Sequence, residues 1–288
     1  KTVATLRDLT GVTLTRGAVV RAVGRLGAAS GATDAALRAQ VAAAPVVTAD
    51  ETGWRVNGAT AWLWTFVTPT TTVYRIAASR GADVAQAVLG ADFSGVLVRD
   101  GWAPYRQFTA ATHQTCVAHL LRRCTELLET ARGRGREIPH AVQALLHDAL
   151  GARAARDTGR LDPAGLARER AALARRLDQL LARPAIRHHG NRTLLAHLRR
   201  ERDACFVFLT HPDIPATNWR AEQAIRPAVV NRKVWGGNRT WRGARTQQSL
   251  TSVIRTSRQQ RCDPVPLLAD LLRAPTPAIA RLPSLAPT

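Results

Sequence analysis

The spacing of apolar residues changes period part-way along this chain, and that change limits the folds open to it. From Ala61 to Val67, alternate positions place Trp62, Trp64 and Phe66 on one face of a strand. Thr71 to Ile76 is β-branched and aromatic and reads as a second strand. Before them, Val46-Val47-Thr48-Ala49 is a short apolar run that meets Asp50. Asn57-Gly58 and the stretch 68–72 supply turns, so three consecutive strands form an antiparallel meander. A helical piece covers Ala82 to Leu89. Val96-Leu97-Val98 is then a fully apolar strand running into Arg99-Asp100-Gly101, and Thr112 to Ala118 adds another. From His119 to about Phe208 the period becomes helical. Its stripes are Leu120, Leu121, Cys124, Leu127 and Leu128, then Val142, Leu145, Leu146 and Leu150, then Leu166, Leu173, Leu177, Leu180 and Leu181. Breaks at 133–139, Asp162-Pro163 and Arg183-Pro184 divide this block. The class is α/β, with a mixed sheet followed by a large helical segment.

Residues 3–28 also read as helical, with Thr15 capping a helix that carries Val19, Val20, Val23 and Leu26 on one face. A short helix-turn-helix and a plain packing helix both fit this stretch. Asn218 to Leu272 reads as a helix, a Gly- and Arg-rich loop, a second helix and a short helix after Pro266. Pro227 is expected to end or bend the first of these. The Pro- and Ala-rich tail from Pro275 is expected to be loose.

Charge narrows the partners. Lys and Arg number 41 against 21 Asp and Glu, a surplus of 20 positive charges. Such a surplus repels itself unless a polyanion neutralises it, and Arg suits phosphate by its planar fork. Nucleic acid is the expected partner, beside the plainer reading of a generally basic surface. Four irregularly spaced cysteines argue against a disulfide framework and for a reducing, cytoplasmic setting. No apolar run approaches the roughly 20 residues of a membrane span, and no signal peptide is evident. The chain contains no Met and starts at Lys1, so a preceding N-terminal part is expected, with sequence-specific recognition as its task.

Acids are scarce, so their positions carry information. Asp50 and Asp100 each close an apolar strand, where an unpaired carboxylate is expensive. Either Arg or a metal must neutralise them. Asn218, Glu222 and Arg226 recur at every fourth position and share one helix face. Glu51 adjoins Asp50, but strand neighbours point to opposite faces, so only one of the two faces a given site.

Several motifs then fall in one order: Thr48-Ala49-Asp50-Glu51-Thr52, Val98-Arg99-Asp100-Gly101-Trp102, Cys116-Val117-Ala118-His119 and Asn218-Trp219-Arg220-Ala221-Glu222-Gln223-Ala224-Ile225-Arg226-Pro227. Arg232-Lys233-Val234-Trp235, Arg242-Gly243-Ala244 and Cys262-Asp263-Pro264 follow. Over residues 45–272 the set resembles the bacterial insertion-sequence transposase family numbered sixty-six, of the DDE class. The resemblance implies a ribonuclease H-like mixed sheet flanked by helices, with an α-helical insertion before the last catalytic helix. It implies Asp50, Asp100 and Glu222 as catalytic carboxylates holding Mg2+, with Mn2+ as a substitute, and it chooses Asp50 over Glu51. The expected organisation is a helical N-terminal remnant (1–44), the first part of the catalytic core (45–118), an Arg-rich helical insertion (119–210), the end of the core with its Glu helix (211–274) and a loose tail (275–288). The activity implied is DNA cleavage and strand transfer on a bacterial insertion sequence. Transposon ends and target DNA are then the partners, with a homo-oligomer assembled on DNA, helper proteins and a nucleoid-associated protein in view. Two rivals stand beside it: a structure-selective nuclease without strand transfer, and a non-catalytic basic DNA-binding protein.

Other features divide between site and scaffold. Arg226, Arg232, Lys233, Arg239, Trp241, Arg242 and Arg245 alternate basic and aromatic character, as a DNA-tracking groove requires, and the Gly-rich run at 236–237 suits close approach to phosphate. The alternative places the tryptophans in the core; it is preferred for Trp62 and Trp64 and left even for Trp241. His119 and Asn218 are accessory candidates. Cys116-x-x-His119 has half the spacing of a zinc site, with only Cys124 and His113 at hand as further ligands. No Walker-type loop points to ATP.

Overall fold

The computed structural model describes residues 2–183 and 188–285. In chain order its elements are α1 (Thr2–Thr10), α2 (Arg16–Ala29), α3 (Gly31–Ala42), β1 (Val46–Val56), β2 (Ala59–Val67), β3 (Thr72–Ala77), α4 (Ala82–Leu89), β4 (Val96–Arg99), β5 (Thr112–Thr115), α5 (Val117–Thr130), α6 (Glu137–Asp157), α7 (Pro163–Leu181), α8 (His189–Arg200), α9 (Trp219–Trp235), α10 (Trp241–Gln259) and α11 (Pro264–Arg273). The sheet runs in the order β3-β2-β1-β4-β5. β2 and β3 pair antiparallel, while β4 pairs parallel with both β1 and β5, so the sheet is mixed. The meander's first turn falls at Asn57-Gly58, both at positive φ (52° and 76°), the conformation that a two-residue hairpin demands.

Two compact units emerge, each discontinuous in sequence. One covers Pro45–Asp50 and Asp92–Glu222. Its core is a continuous apolar cluster in which Val98 and Val117 meet Leu120, Cys124, Val142, Leu145, Leu146, Leu173, Leu177, Leu194 and Phe208. The helical stripes legible in the sequence converge here, and each buried Leu contributes about 1.5–3 kcal/mol. Asp162 caps α7 by accepting the Gly165 N–H at 2.7 Å. Of the expected break at Arg183-Pro184, Pro184 lies outside the described residues.

The other unit comprises the described parts of Lys1–Ala44, Glu51–Ala91 and Gln223–Thr288. β2 is buried on both faces along its second half, and Trp64 and Phe66 stack with ring centroids 6.4 Å apart. β3 is an edge strand, and α10 caps it. Gln248 Oε1, Ser252 Oγ and Thr256 Oγ1 accept the backbone N–H groups of Ile76, Tyr74 and Thr72 at 2.9, 2.9 and 3.0 Å. Four helical residues rise about 6 Å and two strand residues about 6.7 Å, so the two repeats match over three rungs. Side chains thereby complete a ladder that an edge strand otherwise leaves open.

The structure refines four expectations. Thr15 caps α2 as expected, accepting the Ala18 N–H at 3.1 Å, and of the face it carries Val20 and Val23 are exposed, Val19 and Leu26 are half-buried, and Gly27 is the buried residue of the helix. Pro227 does not end α9, which continues to Trp235. A proline strips the carbonyl four residues back of its donor and weakens the next bond. Tyr74 Oη donates to Ala224 O, three residues back, at 2.6 Å and makes good part of that loss. The tail up to Leu285 is anchored rather than loose: Leu282 is buried, and the Ala280 N–H donates to Thr33 Oγ1 at 2.9 Å. The 112–118 strand stops at Thr115, and α5 begins at Val117.

Candidate active site

β1 and β4 run parallel with Thr48 opposite Val98. Asp50 and Asp100 each lie two residues beyond that last pair; Asp100 follows the end of β4, whereas Asp50, expected to close its strand, lies within β1, which runs on to Val56. β5 continues the row: Gln114 stands opposite Val98, which puts Cys116 at the corresponding place. Cys116 is also the residue before α5, whose first turn carries His119. His119 Nε2 is 3.7 Å from Glu222 Oε1, with both side chains about one-third exposed. Asp50, Asp100, His119 and Glu222 therefore belong to one unit. Glu51 instead pairs with Arg80 at 2.8 Å, in keeping with strand alternation, and Arg80 also stacks over Trp62 at 4.4 Å.

The backbone at Asp100 is held from beneath. Arg99 is fully buried and forms an ion pair with the equally buried Glu201, 102 positions away in sequence. Arg99 Nη1 also donates to Asp100 O at 3.0 Å, and Arg106 Nη1 lies 3.5 Å from the other Glu201 oxygen. Arg99 Nε sits 3.4 Å from His113 Nδ1, and burial, then the Arg99 charge, lower the His113 pKa. Asp100 Oδ1 accepts the Trp102 N–H at 2.9 Å. Gly101 lies against the His197 ring so closely that a Cβ would stand 2.1 Å from Cε1. Burial lowers the His197 pKa; Glu201 opposes it, and Arg123, Arg200 and Arg99 act in the same direction as burial. A cavity of about 440 Å3 opens beside Asp100, with His119, Arg122, Arg123 and His197 in its wall. Sequence reasoning passed over Glu201 and His197, because nothing local marks a helical Glu or His as lying beneath a distant strand end.

Asn218 is wholly buried just before α9. Its carbonyl accepts the Glu222 N–H at 3.1 Å, and its N–H donates to Cys116 Sγ at 3.4 Å. Neither atom of its amide has a partner among the described residues, and the same holds for His119 Nδ1. Burial raises the Cys116 pKa against the pull of the Asn218, His119 and Ala118 N–H groups, so this thiol is a packed acceptor. Among the described residues, no three or more His, Cys, Asp and Glu side chains are drawn together closely enough to hold a metal ion as they stand. The carboxylates at 50 and 100 are nevertheless oxygen donors of the kind that hard divalent ions take.

The other sequence-chosen residues lie in the second unit, on α9, α10 and the loop between them. Arg226, Lys233, Arg239, Trp241, Arg242 and Arg245 are exposed. Arg232 is spent on β1, where Nη1 donates to Gly53 O and lies 3.4 Å from Thr52 Oγ1. Of the glycine run, Gly236 is exposed with open space at its Cβ position, while Gly237 packs on β1: a Cβ there would stand 2.3 Å from Arg55 O, and the Asn238 N–H donates to that oxygen at 2.9 Å.

A mixed α/β protein with a large positive surplus and two aspartates just past the paired stretch of neighbouring parallel strands is of a class suited to handling nucleic-acid phosphates. The chain belongs to the transposase IS66 family, whose model matches residues 2–246. Family membership makes DNA the partner. No curated protein matches the chain. No helix among the described residues is long and apolar enough to cross a membrane.

Proposed function

We propose that this transposase cleaves DNA at the ends of an insertion sequence and transfers the freed strands to target DNA, from a ribonuclease H-like core. The parallel register of β1 and β4 carries the reading, because it delivers Asp50 and Asp100 to matching positions on neighbouring strands. Asp50, Asp100 and Glu222 would hold Mg2+, or Mn2+ in its place, and ions bound there would supply activation of the attacking oxygen and stabilisation of the leaving one. His119 steers the Glu222 carboxylate. The buried Arg99–Glu201 pair holds the main chain at Asp100. Arg122 and Arg123 attract the phosphodiester beside Asp100.

Replacing Asp100 by Asn keeps the shape and removes the charge. The Asp100→Asn protein is expected to keep its circular dichroism spectrum and its affinity for DNA bearing insertion-sequence ends, and to lose cleavage and strand transfer. Undiminished cleavage would remove Asp100 from the chemistry. Wild-type protein that releases cut ends but never joins a 3′-hydroxyl end to target DNA would be a structure-selective nuclease.

A further inference from the structure

α2 approaches α10 through Gly27, where a Cβ would stand 2.6 Å from Thr246 Cγ2. Packing through a glycine turns the valines of α2 outward, so Val20 is 71% exposed and Val23 44%. Trp235 at the end of α9 is 55% exposed. These three side chains line a mainly apolar groove of about 870 Å3 within this unit. Arg21, Arg25 and Arg242 stand in its walls, and no Asp or Glu does. None of the three arginines forms an ion pair among the described residues.

An apolar floor of this extent marks a binding site, and its cationic walls limit the occupant. Duplex DNA satisfies the arginines but not the floor, because its bases are stacked inward. An unpaired strand offers both parts, flat apolar base faces for Trp235 and the valines and phosphates for the guanidinium forks. We propose that the groove between α2 and α10 binds a short unpaired segment of DNA strand, with a base against Trp235. This rests on DNA being the partner, and it assigns a strand-holding role to α2 and Trp235 that is separate from the acids at 50, 100 and 222.

Fluorescence anisotropy on the full chain at one salt concentration tests it with three probes: a short oligothymidine, an abasic backbone of the same length, and a blunt duplex. Wild-type protein is expected to bind oligothymidine well above the abasic strand. Trp235→Ala should weaken oligothymidine binding about ten-fold, the order of one lost stacked base, and leave the duplex unchanged. Val23→Asp, also at an exposed position, should act in the same direction. Unchanged oligothymidine affinity in both variants would overturn the assignment, as would an equal loss for the duplex. Variants that lose binding to an acidic amphipathic peptide while keeping oligothymidine would give the groove to a protein partner. Failure of wild-type protein to bind any of the DNA probes would overturn the DNA reading itself.

Discussion

At the scale of single residues, the ground beneath Asp100 is the most demanding part of the molecule. Arg99 and Glu201 are both buried, and removing one charge strands the other. Glu201→Gln is expected to lower the unfolding free energy by about 3–5 kcal/mol, read from urea midpoints, because a buried charge is left uncompensated. A loss below about 1 kcal/mol, the worth of an exposed pair, would show that solvent reaches Arg99 and that the pair is not a buried one. Gly101→Ala pushes a methyl group into the His197 ring and should cost about 1–3 kcal/mol. His197→Ala in the same chain should recover most of that loss, and a double variant no better than the single would refute the clash. Tyr74 provides a pH signature. Burial raises its pKa from 10.0 to about 12 against the opposing pull of Arg255, so the folded state keeps a proton that the unfolded state gives up. Stability that is full below pH 10 is then lost as pH rises toward 12. The thiols of Cys124 and Cys205, each raised by burial from 9.0 to about 12, add to the decline from pH 9 upward. Tyr74→Phe should flatten the part of the slope above pH 10, measured as unfolding free energy against pH.

At the scale of elements, local pattern was a good guide wherever one face had to be buried. The strands around Asp50 and Asp100, the stripes of α5 to α7 and the Thr15 cap were all legible, because period and capping are local properties. For α2 the pattern left open which side packs, and Gly27 decides it by allowing so close an approach to α10 that Val20 and Val23 stay exposed. Pro227, expected to end or bend its helix, does not end it, and the hydroxyl that meets the Ala224 carbonyl before it comes from Tyr74, 150 positions away. The ladder between α10 and β3 was invisible as well: Gln248, Ser252 and Thr256 read as an ordinary polar face until β3 lies beside them. Ser252→Ala leaves the buried Tyr74 N–H without an acceptor and should cost about 1–3 kcal/mol in chemical denaturation. A change within about 0.5 kcal/mol, the range of a neutral surface substitution, would mean the side-chain ladder adds nothing.

At the scale of the whole molecule, charge decides behaviour. With 20 surplus positive charges, DNA affinity should fall linearly in a plot of log affinity against log salt. The expected loss is about a thousand-fold or more between roughly 50 and 200 mM salt if six or more phosphates are contacted. A flat response in a filter-binding titration would exclude a broad phosphate track.

The sequence by itself determined the α/β class, the order of elements and the placing of Asp100 just past a strand end, since these follow from hydrophobic period and from which acids interrupt apolar runs; that β1 continues beyond Asp50 to Val56 was decided by its neighbours in the sheet. Tertiary structure alone decided that Glu222 sits beside His119, that Glu201 neutralises Arg99, and that segments far apart in the chain close into two units. These pairings join residues up to a hundred or more positions apart. Their energy comes from burial and opposite charge at contact, and neither exists until the backbone has brought the partners together.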